Sequence, residues 1–271
     1  MKGKKNLIKN RIDFEDVLAV ALNTPGVKIN RESFLKSELK KYCSDNVIID
    51  AIDSNPAKAG ISKDTINKIS KHVINYETTK VTGLSVVASI PGGPAAVGAA
   101  AADITSYFVF ILRVVQELAY LYGFDEFELK DNSVDSETKA YLLLFMGAMF
   151  GVKGATKALN KFANIYAKHV AKNLAKKALT KGTLYPIVKK IAYKVGVHMT
   201  KQLFADTVAS AIPLVGGAIS GGLTFVMFKP NCMKLRKHLM SYNLCDPDFY
   251  RSDDTEEESF ESDEISNINT V

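Results

Sequence analysis

The chain has 271 residues, 47% of them hydrophobic, enough to bury the core of one large domain or two small ones and to exclude disorder for the whole. Its formal charge of +6 conceals an asymmetry: residues 246–271 hold ten acids against one base, a balance of −9, and residues 1–245 hold 34 bases against 19 acids, a balance of +15. So basic a body favours anionic partners, whether phospholipid head groups, nucleic acid or an acidic protein, and the acidic tail is expected to stay unfolded. Cys43, Cys232 and Cys245 lack CxxC spacing and histidines at zinc-ligand distances, so neither a disulfide framework nor a structural metal is expected. The basic segment 1–17 has no continuous apolar stretch or small-residue cleavage site, so the chain reads as cytoplasmic, with free thiols.

In chain order, helix-like spacing covers residues 17–22 with their flanks and residues 32–42 behind the polar Asn30. Ser62 is placed to cap a helix running through Ile66, Ile69 and Val73. The β-branched run at 47–49 is too brief for a sheet, so the predicted fold class is all-α: a single helical domain with a disordered acidic C-terminal tail. Residues 125–137 form the clearest internal loop, carrying Asn132, Ser133 and Asp135 as turn or cap residues.

Two segments, 81–102 and 207–228, run 22 residues each without a charge, a length that permits membrane spanning. Pro91, Gly92, Gly93 and Pro94 interrupt the first and Pro213, Gly216 and Gly217 the second, so each reads better as a bent apolar element packed centrally. Small residues recur every fourth position, at Pro94, Gly98, Ala102 and Ser106 and again at Gly217 and Gly221, the pattern of a groove where another backbone approaches closely.

Beyond Ala102 the first segment is predicted to continue as a helix through Tyr122, with Asp103, Arg113 and Glu117 set among Tyr107, Phe108, Phe110 and Ile111. Charges in so apolar a helix need partners: Arg113 and Glu117 pair at i,i+4 in a polar network, or the three line a tentative ligand-binding site. Residues 138–205 contain thirteen lysines and no acid. Lys153, Lys157, Lys161, Lys168 and Lys172 cluster on one helical face opposite Leu159, Phe162, Tyr166, Val170 and Leu174. That is a basic amphipathic helix, suited to an anionic lipid surface or to covering an ordinary core. Sequence-reading nucleic-acid interfaces favour arginine forks and aromatic platforms, so an all-lysine run disfavours nucleic acid. No Walker A loop, HExxH or GxSxG motif is present, and His72, His169, His198 and His238 stand alone, so no catalytic residue and no cofactor are assigned.

A family pattern emerges from several motifs in order: YETTKVTGL from Tyr76, IPGGP from Ile90, ADITSY from Ala102 and AYLYG from Ala119. TLYPIV from Thr183, AIPLVGGAISGGLT from Ala211 and FKP from Phe228 follow. Together they resemble the EcsC family of bacterial proteins, named for the third product of an operon that encodes an ABC exporter. The resemblance implies no established reaction; it divides the chain into an N-terminal helical extension (1–45), an EcsC-like helical domain (46–245) and the acidic tail (246–271). The expected function is that of a non-enzymatic protein peripheral to the inner face of the cell membrane. Its expected partners are an anionic lipid surface and a membrane protein complex; alternatives are a soluble enzyme or ligand-binding protein using Asp103, Arg113 and Glu117, and a pore-forming role for the two apolar segments. The acidic tail is expected to fold back on the lysine face and compete with lipid.

Overall fold

The computed structural model describes residues 14–88, 96–129, 136–152, 154–167 and 216–251. All regular structure among them is helical: α1 (Phe14–Leu22), α2 (Arg31–Leu39), α3 (Asp45–Asp53), α4 (Lys63–Ala88), α5 (Ala96–Leu121), α6 (Ser136–Met149), α7 (Ala155–Ala167) and α8 (Gly216–Leu239). A single turn of 3-10 helix, Asn243–Cys245, and a helical turn at 247–251 follow α8. The predicted all-α class holds. The run at 47–49 lies inside α3.

Local chemistry sets several helix ends. Asn30 caps α2 by accepting from the Ser33 amide at 2.9 Å, and Ser62 Oγ accepts from the Thr65 amide at 3.2 Å at the start of α4, as its position in the sequence predicts. At the C-terminus of α5, Gly123 at φ +97° lets the Phe124 amide reach back to the Ala119 carbonyl (3.0 Å) and its own amide to Tyr120 (3.3 Å), a Schellman closure. A side chain at Gly123 would also put its Cβ 2.9 Å from the Leu244 carbonyl, so glycine is required there twice over.

Helix α5 is the hub, packed by α1, α2, α4, α6 and α8. Its residues 110–112, 114, 115 and 118–121 are buried, a pattern no single apolar stripe produces. The late helix α8 lies along α4, so the fold is closed by a contact between segments some 150 residues apart. A second layer of aromatic rings fills the space between the α5 exit and α6–α7: Phe127 stacks on Tyr141 at 4.3 Å, and Phe124 meets Phe145 at 5.0 Å and Phe162 at 6.1 Å. The loop predicted at 125–137 is non-helical over 124–129, but Phe127 and Leu129 are buried and anchor it.

The N-terminal helices share this core rather than forming a layer apart. Leu18, Ala21 and Leu22 of α1 and Leu35 and Leu39 of α2 are buried. The extended segment between the two helices is bonded to α5: Gln116 Nε2 donates to the Val27 carbonyl (2.8 Å), its Oε1 accepts from the Ile29 amide (3.1 Å), and Tyr120 Oη donates to the Ile29 carbonyl (3.3 Å). Arg31, buried at the first turn of α2, donates to the carbonyls of Ala51, Ile52 and Ser54 at the end of α3 and to Phe124 beyond α5, at 2.6–3.2 Å. One guanidinium thus satisfies carbonyls that two helix ends leave without internal partners.

Of the uncharged stretch 81–102, residues 81–88 close α4 and 96–102 open α5, while 89–95, with the Pro-Gly-Gly-Pro run at 91–94, lie outside the described residues. One expectation changes. The tail is not unfolded from its first residue, because Asp246 pairs with Lys63 at 2.6 Å and Tyr250 is buried with its hydroxyl accepting from Asn55 Nδ2 at 3.1 Å. An aromatic side chain with an apolar site and a buried partner outweighs the local acidic composition; the tail beyond 251 lies outside the described residues. Of 207–228, only 216–228 is described, in α8. Among the described residues no helix is long and apolar enough to cross a membrane.

Substituting Arg31→Ala leaves four carbonyls without their donor. It is expected to cost about 3 kcal/mol, read as a lower denaturation midpoint at unchanged slope. A shift under about 0.5 kcal/mol excludes the clamp as a stabilising element.

Candidate functional site

Arg113 and Glu117 come together as their spacing predicts, with Nη2 of Arg113 3.6 Å from Oε1 of Glu117. The same nitrogen lies 3.4 Å from Oε1 of Glu77, a residue of the facing helix α4, and Lys80 Nζ reaches that oxygen at 3.1 Å while lying 4.1 Å from the Tyr76 ring centroid. Arg113 Nη1 donates to the Gly26 carbonyl. The network therefore joins α4, α5 and the segment behind α1. Glu77 is fully buried and Glu117 5% exposed, and the second carboxylate oxygen of each has no hydrogen-bond partner. Cys232 of α8, also buried, is near enough for both carboxylates to raise its thiol, although burial is the larger cause.

Asp103 belongs to α5, but ten residues before Arg113, about 15 Å along the axis, so it does not share this cluster. Its side chain lies outside the described residues. Glu77 and Lys80 were not singled out by sequence reasoning, yet a signal was present. The buried positions of α4 run Ile66, Ile69, Val73, Ile74, Glu77, Val81, and a carboxylate occupying the next step of an apolar stripe marks a charge that must find a partner inside.

Burial, and after it the charge of Glu77, pushes the Glu117 carboxyl well above the ordinary carboxylate range, against the pull of Arg113 and Lys80.

The lysine face is described in part. Lys157 and Lys161 are exposed on α7, while Ala158, Leu159, Phe162 and Ala163 on the other side are buried; Lys153, Lys168 and Lys172 lie outside the described residues. The apolar side of this basic amphipathic helix faces the aromatic layer, Phe162 standing 4.9 Å from Tyr141 and 5.1 Å from Tyr166. Among the described side chains of α7, then, the lysine side is exposed and the apolar side closed. Helix α8 brings more positive charge to the same end: Lys234 and Lys237 are exposed, Lys234 Nζ would stand 3.3 Å from a Cβ at Gly151, and Tyr242 Oη donates to the Thr156 carbonyl at 3.3 Å. His238, beside them, is held below its ordinary value by burial and then by Lys234 and Lys237.

Among the described residues no group of three His, Cys, Asp or Glu side chains is placed to hold a metal ion. Compared with family models, with characterised proteins and with solved structures, the chain matches none.

Because the Glu117 value is raised on folding, the stability it contributes is full below the unfolded carboxylate value of about 4.3 and is lost as pH rises toward the folded one. Glu117→Gln removes that titration. The variant is expected to gain stability relative to the parent between about pH 5 and pH 8; a gap that stays flat or shrinks rules out the raised carboxyl. Arg113→Met, which leaves Glu77 with Lys80 alone of its two cations, is expected to cost about 3 kcal/mol in chemical denaturation, and a cost below about 1 kcal/mol removes Arg113 as a counter-charge of Glu77.

Proposed function

We propose that the chain is a non-enzymatic, EcsC-like helical protein that docks peripherally on the anionic cytoplasmic leaflet through its lysine surface, with a membrane protein complex as a further partner. The observation that carries this reading is the division of α7: Lys157 and Lys161 outward, Leu159 and Phe162 locked into the core. Contact through ammonium groups alone, without insertion, follows from it. Lys157, Lys161, Lys234 and Lys237, at about 1 kcal/mol each near an anionic leaflet, supply about 4 kcal/mol, millimolar by themselves. Attachment on this scale is reversible, and it tightens with every further lysine of 138–205 that reaches the surface.

The motif resemblance to the EcsC family supports the same reading. A ligand site at Arg113 and Glu117 has weaker support, since the carboxylates are enclosed and Arg113 is engaged by Glu77, Glu117 and the Gly26 carbonyl. A pore-forming role has no supporting helix among the described residues.

Flotation with phosphatidylserine-containing and pure phosphatidylcholine vesicles tests the proposal. Binding is expected only to the anionic vesicles and is expected to fade as salt rises; equal recovery on both, or none on either at low salt, refutes it. The double reversal Lys157→Glu with Lys161→Glu is expected to weaken binding at least about 30-fold, the equivalent of the about 2 kcal/mol of two lost lysines before the repulsion of the new carboxylates is counted. Lys68→Glu with Lys71→Glu, equal in charge but on α4, is expected to weaken it far less, and equal losses make the effect one of net charge rather than of this face. Removing residues 252–271, which hold eight acids and no base, is expected to strengthen low-salt binding, and unchanged binding dismisses competition by the tail.

A further inference from the structure

Along α3 and the loop after α5 the surface turns acidic. Ile49 is 55% exposed, an unusual position for a large aliphatic side chain, and with half-buried Ile52 and buried Ile48 it floors a groove of about 500 Å³ between the two helices. Glu32, Asp45 and Asp53, all exposed, stand along it, with Lys36 and Lys40 on the α2 wall. Past Glu32, Ile52 and Asp53 the groove continues into a second cavity of about 510 Å³, where Asp125, Glu126 and Glu128 extend the acidic rim opposite the single exposed cation Lys28, and Phe127 and Leu129 the apolar floor. Arg31, which borders this cavity, spends its guanidinium on backbone carbonyls.

We propose that this groove is a docking site for a short basic amphipathic helix of a partner protein. The spacing sets what fits. Asp45 and Asp53 are eight residues apart on α3, about 12 Å along its axis, with the isoleucines between them. A helix laid alongside meets this pattern with apolar side chains at i+3, i+4 and i+7 between cations at i and i+8, the recognition mode in which anchors enter a groove and charges fix the register. An anionic lipid surface is repelled by the rim, so the site is distinct from the lysine surface and does not rest on the membrane reading. A second copy of the chain offers the lysines of α7 but not the apolar anchors, which are buried in its own core.

The test uses the full chain and a fluorescent synthetic helix with lysines at i and i+8 and leucines between, beside a counterpart with glutamates in place of the lysines. Saturable binding of one lysine helix per chain is expected, at least about tenfold tighter than the glutamate helix, with slowed amide exchange in α3. Ile49→Lys and Asp53→Lys, both at exposed positions, are expected to weaken binding about tenfold or more with the helical circular dichroism unchanged, and Lys157→Glu with Lys161→Glu is expected to leave it unchanged. No binding, equal binding of the two peptides, or insensitivity to the α3 substitutions overturns the proposal. So does self-association of the chain that Ile49→Lys abolishes, which makes the occupant a second copy, or loss of binding to phosphatidylserine-containing vesicles on the same substitution, which makes it lipid.

Discussion

Helix α5 is enclosed on nearly every side, and a polar group on an enclosed helix has to be satisfied by protein because water does not reach it. The rest of the fold is arranged around that constraint. Arg113, Gln116 and Tyr120 recur at helical spacing and deliver three donors to the carbonyls of Gly26, Val27 and Ile29, so one stripe of α5 reads out the backbone of the segment joining α1 to α2. Glu117, one step round, turns instead to Arg113 and through it to Glu77 on α4. Helices without sequence neighbourhood are thereby placed in register by polar groups that have no better partner.

A buried network of this kind is a poor source of net stability, since removing ions from water costs roughly what their attraction returns, but breaking it is expensive. Its contribution here is to geometry. The Glu77–Arg113 contact defines how α4 crosses α5, and α8 then lies along α4 with Cys232 beside the carboxylates. Arg31 has the same part at the other end of α5, where a single fork gathers the carbonyl ends of α3 and the α5 exit. Arg31 holds backbone that would otherwise lack partners at two helix ends, and Arg113 ties the exposed Gly26 carbonyl to α5.

The charge of the molecule is organised by region. The lysines of α7 and the end of α8 form one surface, and the acids of α2, α3 and the 125–128 loop rim another. A net charge of +6 describes neither. In the two proposals above the first surface meets an anionic sheet and the second a cationic helix with apolar anchors, two chemistries that call for different faces.

Much of this was legible in the residues. The helical class, the Asn30 and Ser62 caps, the run of α5 to Leu121 and the Arg113–Glu117 pair all follow from local spacing, because i,i+3 and i,i+4 relations are settled within one helix. What lay beyond reach were the partners across the fold. Glu77 belongs to another helix 36 residues away from Arg113, Arg31 finds carbonyls on two other elements, and Asp246 and Tyr250 dock on Lys63 and Asn55 although their own surroundings in the chain are acidic. The amphipathic pattern around Lys157 is equally visible either way; whether Leu159 and Phe162 meet lipid or a core is decided by the aromatic layer of Phe124, Tyr141 and Phe145. Sequence alone therefore determined the helical class, the Ser62 cap, the Arg113–Glu117 pair and the amphipathic lysine pattern. Tertiary structure decided which polar groups meet and which apolar faces close, because those contacts join residues that no helical period relates.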